Sequence, residues 1–424
     1  MRPSILFGIL TTTIIACGDD APTQPDGPKP EIDAAPDAPQ PPGTAITVET
    51  DTVAPSLIAY RDGNGPWQSA KMIDVDTFEL DVHGPYIVTV VCDDTVGDIT
   101  TWQVARTPDD DAELFLPCSG LLSETHPVTG QMVQAGTVTL GFFTDRSQTT
   151  NWSFSIDAEN GTKDLFAFNA SRIAARRDLI VSGDTAVTPA VDLRQGVALV
   201  AAPLVAPNAT ADETVVSAIN IFSGNQSFVR LFRGAASDTK VAPGSFLLVT
   251  DRQSAAVTAR GVNGNSRTLR RGRFAAGDPA EFTLPEPFGG VAYVTSATNQ
   301  LEAHWNTLPE HDIVDVSLDA FTEDFSTFFF HDLEISAAYI AATGVTSMKL
   351  DTEIPDYRPE WRIDYTKEYN RTISALDFRA TESATSTITE TVNAPPALTR
   401  VERARPAKLE RVLSRRELLR DARR

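Results

Sequence analysis

From residue 44 onward, apolar and polar side chains alternate more often than they recur at every third or fourth position, and the alternating stretches are short. Phe78, Leu80 and Val82 interleaved with Glu79 and Asp81 read as a half-buried strand, because successive side chains of an extended chain point to opposite faces. Residues 86–92 (YIVTVVC) are a continuous β-branched run, entered from Gly84-Pro85 and left through Asp93-Asp94. Further strands are predicted over 100–104, 137–142, 151–156, 246–250, 290–295, 301–305, 327–330 and 385–392. Turn signals about every ten residues between such runs favour sandwiches or barrels. The expected fold class is therefore all-β, with tandem β-sandwich domains of Ig-like or transthyretin-like type.

The pattern fails at both ends. After Arg2 an apolar run reaches Ile15 and meets Ala16 and Cys17. Its length suits a signal-peptide core and falls short of the roughly 20 residues that span a bilayer. Pro then recurs at positions 22, 25, 28, 30, 36, 39, 41 and 42, among Asp, Ala and Gln. A stretch with so little apolar area cannot offset its ordering entropy, so residues 17–43 should be an extended, disordered tether of up to ~3.1 Å per residue. At the other end, residues 400–424 carry ten Arg or Lys against four Asp or Glu, with Leu409, Val412, Leu413, Leu418 and Leu419 at helical spacing. A short basic C-terminal helix is expected there.

Ile14-Ile15-Ala16-Cys17 resembles the lipobox of bacterial lipoproteins, with Ile where that family more often has Leu. The resemblance implies that the peptide before Cys17 is removed and that the Cys17 thiol is the lipid attachment point. Gly18 resembles the following residue of lipoproteins sent to the outer membrane, while Asp19 and Asp20 leave the choice of membrane open. The tether, including Ala34-Ala35-Pro36-Asp37-Ala38-Pro39, is similar to the stalks of surface lipoproteins in myxobacteria and their relatives. Within 121–208, Val128-Thr129-Gly130 and then residues 135–140 resemble the opening of carboxypeptidase regulatory-like β-sandwiches, accessory modules without catalytic residues. Residues 301–305 with Pro309 resemble an early strand of fibronectin type III domains.

A chain of 424 residues is too long for one core. The expected organisation is a signal peptide over 1–16, the tether over 17–43, β-sandwiches over 44–120, 121–208, 209–300 and 301–396, and the basic tail over 397–424. Arg176-Arg177 followed by Gly183-Asp184 matches Arg270-Arg271 followed by Gly277-Asp278 at a spacing of 94 residues, which suggests that 209–300 repeats 121–208.

Charge and cysteine content then narrow the function. A net charge of −21 argues against nucleic acid as a partner. With Cys17 assigned to lipid, Cys92 and Cys118 remain as an even pair: a disulfide in an oxidising compartment, or two buried thiols. No cofactor or metal is expected. His83, His126, His304, His311 and His331 form no His-x-x-x-His or Cys-x-x-Cys spacing, and no Gly-x-Ser-x-Gly elbow is present. His311-Asp312 and His331-Asp332, with His304, are the main enzymatic candidates, and scattered carboxylates are the other basis for an exported hydrolase. Asp62-Gly63-Asn64-Gly65-Pro66-Trp67 starts like a calcium loop but places Pro66 at a ligand position, which favours a plain turn. Asp109, Asp110 and Asp111 read as a solvated loop. The candidate ligand-binding surface is basic: Arg260, Arg267, Arg270, Arg271 and Arg273, with Arg172, Arg176 and Arg177 as counterparts, suited to an acidic glycan, an envelope protein or the acidic face of a neighbouring domain, with protection of edge strands by charge as the plain alternative. The sequence thus points to a membrane-anchored binding or structural protein and not to an enzyme.

Overall fold

The structure is a computed structural model, and it describes residues 43–50, 54–93, 98–116, 118, 125–141, 147–150, 152–183, 189–225, 227–261, 264–289, 291–295, 301–321, 327–362, 368–378 and 381–391. The signal peptide, Cys17, all of the tether before Gly43 and the basic tail lie outside the described residues. The described residues from Gly43 onward belong to one compact unit and are dominated by strands. Among them no helix is long and apolar enough to cross a membrane, which says nothing of a β-barrel.

Twelve strands form one continuous sheet: β1 (Leu57–Asp62), β2 (Gln68–Ser69), β3 (Tyr86–Asp93), β4 (Asp98–Arg106), β5 (Thr214–Phe222), β6 (Phe228–Ala235), β7 (Arg252–Arg260), β8 (Asn265–Arg271), β9 (Ile313–Phe321), β10 (Phe328–Ser336), β11 (Glu368–Phe378) and β12 (Glu382–Thr391). Their spatial order is β6-β5-β7-β8-β12-β11-β9-β10-β4-β3-β1-β2. Every pairing in it is antiparallel except β10 with β4, which runs parallel from Phe328 opposite Asp98 to Ile335 opposite Ala105.

Smaller sheets cover this long sheet and give the sandwich layering. The uninterrupted apolar run of β3 is explained by burial on both faces. Tyr86, Val88, Val90 and Cys92 pack with Ile46, Val48, Phe78 and Leu80 of a four-stranded sheet. Ile87 and Val91, pointing the other way, join Val314, Val316, Leu333 and Ile335 beneath Trp305 and Met348 of a three-stranded sheet. At the far end, Ile219, Ile221, Val229, Ala255, Val257 and Leu269 share a core with Phe166 and Ile173 of a five-stranded sheet. That five-stranded sheet closes a separate sandwich with the strands Ser153–Glu159, Thr125–Met132 and Ala190–Val191, around Val128, Phe154, Ile156, Val138 and Leu165. Each such aliphatic or aromatic side chain contributes roughly 1.5–3 kcal/mol when fully buried.

Three expectations change. The sandwiches are not separate modules in sequence order, because the long sheet draws strands from 44–120, 209–300 and 301–396. Residues 246–250, expected as a strand, are turns, held by hydrogen bonds from Phe246 N to Pro243 O and from Asp251 N to Leu248 O. A helix not anticipated, Ala337–Thr343, follows β10, with the Ser336 hydroxyl capping Tyr339 N and Gly344 closing it at φ 68°. The left-handed backbone at Gly344 is readily adopted only without a Cβ.

The suggested repeat coincides with two hairpins whose pairing differs. Arg176 lies opposite Leu165, whereas the residue 94 positions after Leu165, Ala259, lies opposite Arg267 instead of Arg270.

Candidate functional site

The period-two geometry of β8 decides the fate of the basic cluster. Arg267 and Arg271 lie on the same face as buried Leu269, and Arg270 lies on the other. Arg267 is only 5% exposed. Its Nε donates to Glu213 Oε1 at 3.0 Å, Nη2 donates to Glu213 Oε2 and to Asn208 O, and Nη1 donates to Pro285 O at 3.1 Å. Arg271 donates to Glu382 Oε1, Pro279 O and Glu281 O, with its guanidinium 4.2 Å from the centre of the Phe282 ring. Arg260 and Arg273 are exposed at opposite ends of the hairpin formed by β7 and β8, and Arg270 is half-buried. The expected five-arginine surface is therefore divided, since two of its members spend their donors within the fold.

Arg177, in the counterpart cluster, is likewise internal. It bridges Asp164 at 2.8 Å and Asp251 at 2.7 Å while lying 4.8 Å from the Phe166 ring centre. Burial alone would raise the Asp164 carboxyl, but the hydrogen bonds from Asn225, Arg177 and Asp178 N bring it below the usual carboxylate range. Arg172 donates to Arg194 O and Gly196 O, and Arg176 is exposed.

Beside the internal pairing of Arg267 lies a cleft of about 350 Å³. Its walls are the segments 208–213 and 286–288, and its floor is formed where β8 meets β12. Asn208 ties the first wall to the segment just before the second: its Nδ2 donates to Leu284 O at 2.9 Å and its Oδ1 accepts from Leu284 N at 3.0 Å. The Thr210 N–H donates to Glu213 Oε2 at 2.8 Å, and the Thr210 hydroxyl donates to Asp212 Oδ1 at 2.6 Å. Ser386 donates its hydroxyl to Glu286 O and anchors the opposite wall. Hydrogen bonds from Arg267 hold the Glu213 carboxyl down at about 2, outweighing the burial that opposes them, with Thr210 N–H adding to the effect. Glu213 is thus a fixed anion and not a proton donor at neutral pH. Of these residues only Arg267 belongs to the sequence-derived candidates. Thr210-Ala211-Asp212-Glu213 carries the Thr-x-x-Glu spacing of a capping box, the signal by which this wall was findable, although here it closes a turn (Glu213 N to Thr210 O, 3.2 Å) and no helix follows.

The two cysteines of the first region are joined: Cys92 and Cys118 form a disulfide with their Cα atoms 5.1 Å apart. It ties the C-terminal end of β3 to the segment after the strand Glu113–Phe115, closing a loop worth roughly 3–4 kcal/mol in the chain-entropy account.

The His–Asp candidates have separate roles. His331 and Asp332 are consecutive on β10 and so face opposite sides of the sheet; both are buried. Asp312 Oδ2 accepts from Phe378 N at 2.7 Å, His311 Nδ1 lies 2.8 Å from Pro309 O, and half-exposed His304 lies 3.4 Å from Glu302 Oε1. Asp62 accepts from His83 N and Gly84 N, so the loop at 62–67 is a turn with its carboxylate engaged. Asp110 accepts from Thr107 and from the Ser336 hydroxyl. Among the described residues, no three His, Cys, Asp or Glu side chains gather in a way that could hold a metal ion.

No protein-family description matches the chain, and no curated protein matches it. Among solved structures, the FN1-FN3 domains of chicken CNTN1 align at 10% identity over 83% of this chain and 99% of that one, with a TM-score of 0.15. A likeness at that score carries no argument about fold or function.

Proposed function

We propose that this chain is a lipoprotein of the bacterial cell envelope, anchored through lipid on Cys17 in the outer membrane and facing the periplasm or the cell surface. Its β-sheet body serves as a binding or structural protein and not as an enzyme. The observation that carries the reading is the pairing of Cys92 with Cys118. Of the three cysteines in the sequence it leaves Cys17 alone outside the disulfide, at the end of an apolar leader and before a Pro- and Asp-rich stretch. A disulfide also fits an exported protein, because the cytosol keeps thiols reduced. The cleft beside Arg267 supports binding: its volume lies in the range of small-ligand sites and its walls are cross-braced. Its deepest carboxylate, Glu213, is locked in an ion pair and unsuited to acid catalysis.

The test is fractionation of cells that express the full chain. Cys17→Ser should move the protein from the membrane fraction to the soluble fraction and abolish incorporation of labelled fatty acid. Retention in the membrane with no change in labelling would overturn the anchor.

A further inference from the structure

We propose that the cleft between residues 208–213 and 286–288 binds an alkylammonium group, a positively charged amine on a short carbon stem. This deepens the binding reading above and rests on it. Four carboxylate or guanidinium side chains line the cleft, Arg267 against Asp212, Glu213 and Glu286, for a net charge of −2. Because Arg267 and Glu213 neutralise each other through two contacts, the charge that a ligand meets is that of Asp212 and Glu286. Asp212 and Glu286 are exposed, and Asn265, also exposed, adds an amide at the mouth.

The remaining wall is apolar. Phe288 and Ile388 are half-buried, packed against the core beneath the sheet, and line the same cleft. An ammonium head beside these exposed carboxylates, with its stem along an aromatic ring and an isoleucine, satisfies both halves of this lining. An acidic glycan meets two uncompensated carboxylates instead, so the cleft selects against the partner that the arginine-rich sequence suggests. The acidic balance of the whole chain favours the approach of cations in the same sense.

The chemistry is shared by a free polyamine and by a lysyl side chain in a peptide, and two probes separate them: spermidine and the tripeptide Gly-Lys-Gly. Each is titrated calorimetrically into the full chain at low salt, alongside a sulfated disaccharide. Binding of either amine is expected, weakened by added salt and reduced about fivefold by Asp212→Asn and by Glu286→Gln separately, the scale of one exposed ion pair. Stronger binding of spermidine assigns the site to polyamines, and stronger binding of the peptide assigns it to lysyl side chains. The proposal is overturned if neither amine binds, if both substitutions leave amine binding unchanged, or if the sulfated disaccharide binds more tightly than both. That last result leaves a binding protein with a different ligand, whereas binding of none of the three probes removes the support that the cleft gives the binding reading; the fractionation of Cys17→Ser scores the anchor separately.

Discussion

Single residues here are settled by pairing more than by type. Arg267 and Arg270 differ by three positions on one strand, yet one closes a buried ion pair and the other faces the opposite side. For Glu213, the folded carboxyl lies at about 2 against an ordinary value of 4.5. A lowered folded value means the native state holds its charge longer than the unfolded state does. The contribution of Glu213 to stability is therefore complete above about 4.5 and is lost as the pH falls toward 2. Urea unfolding across that interval should show the native chain losing stability more steeply than Glu213→Gln, which lacks the titrating group. Parallel pH profiles would show that the pair contributes nothing. The arginines were legible in the sequence as a cluster. Their division between two faces was not, because it depends on the phase of β8 relative to the core.

At the scale of elements, local pattern was a good guide wherever one strand buries one face. The strand Thr77–Val82, read from Phe78, Leu80 and Val82, has all three buried. Residues 246–250 failed because an apolar run also suits a turn that packs Phe246 and Leu247 against a core from outside. The helix Ala337–Thr343 carried its own signals, Ser336 before it and Gly344 after it, but is too short for an apolar period to show. Gly130 illustrates a constraint that only close packing reveals. A Cβ there would lie 2.2 Å from Phe154 Cζ and 2.4 Å from Pro189 O, between the strands Ser153–Glu159 and Ala190–Val191. Gly130→Ala should cost about 1–3 kcal/mol in chemical denaturation, the usual penalty for forcing extra volume into a packed core. An unchanged midpoint would mean that the two strands separate easily.

The whole molecule is organised by pairings between distant segments. Arg106 donates to Glu334 at 3.0 Å with both side chains largely buried, Gln103 bonds the backbone of Lys349 and Asp351, and Trp361 donates its ring N–H to Asp93. These contacts join the first and last parts of the described chain across the parallel pairing of β4 with β10. Residues 301–396 expressed alone should consequently fail to fold, because Phe329, Leu333 and Ile335 lose Ile87, Val91 and Ala105 from their core. Far-UV circular dichroism with a denaturant titration checks this, and a cooperative transition in the isolated fragment would refute it. What the sequence by itself determined is the class of secondary structure, the partnership available to Cys92 and Cys118, and the change of composition near residue 43. All three are local matters of alternation, cysteine count or proline content. Only the tertiary structure decided which strands share a sheet, which arginines are neutralised and where a cleft opens. Hydrogen bonding between strands and the cancellation of charge across them depend on neighbours in space, and those neighbours are separated by up to hundreds of positions along the chain.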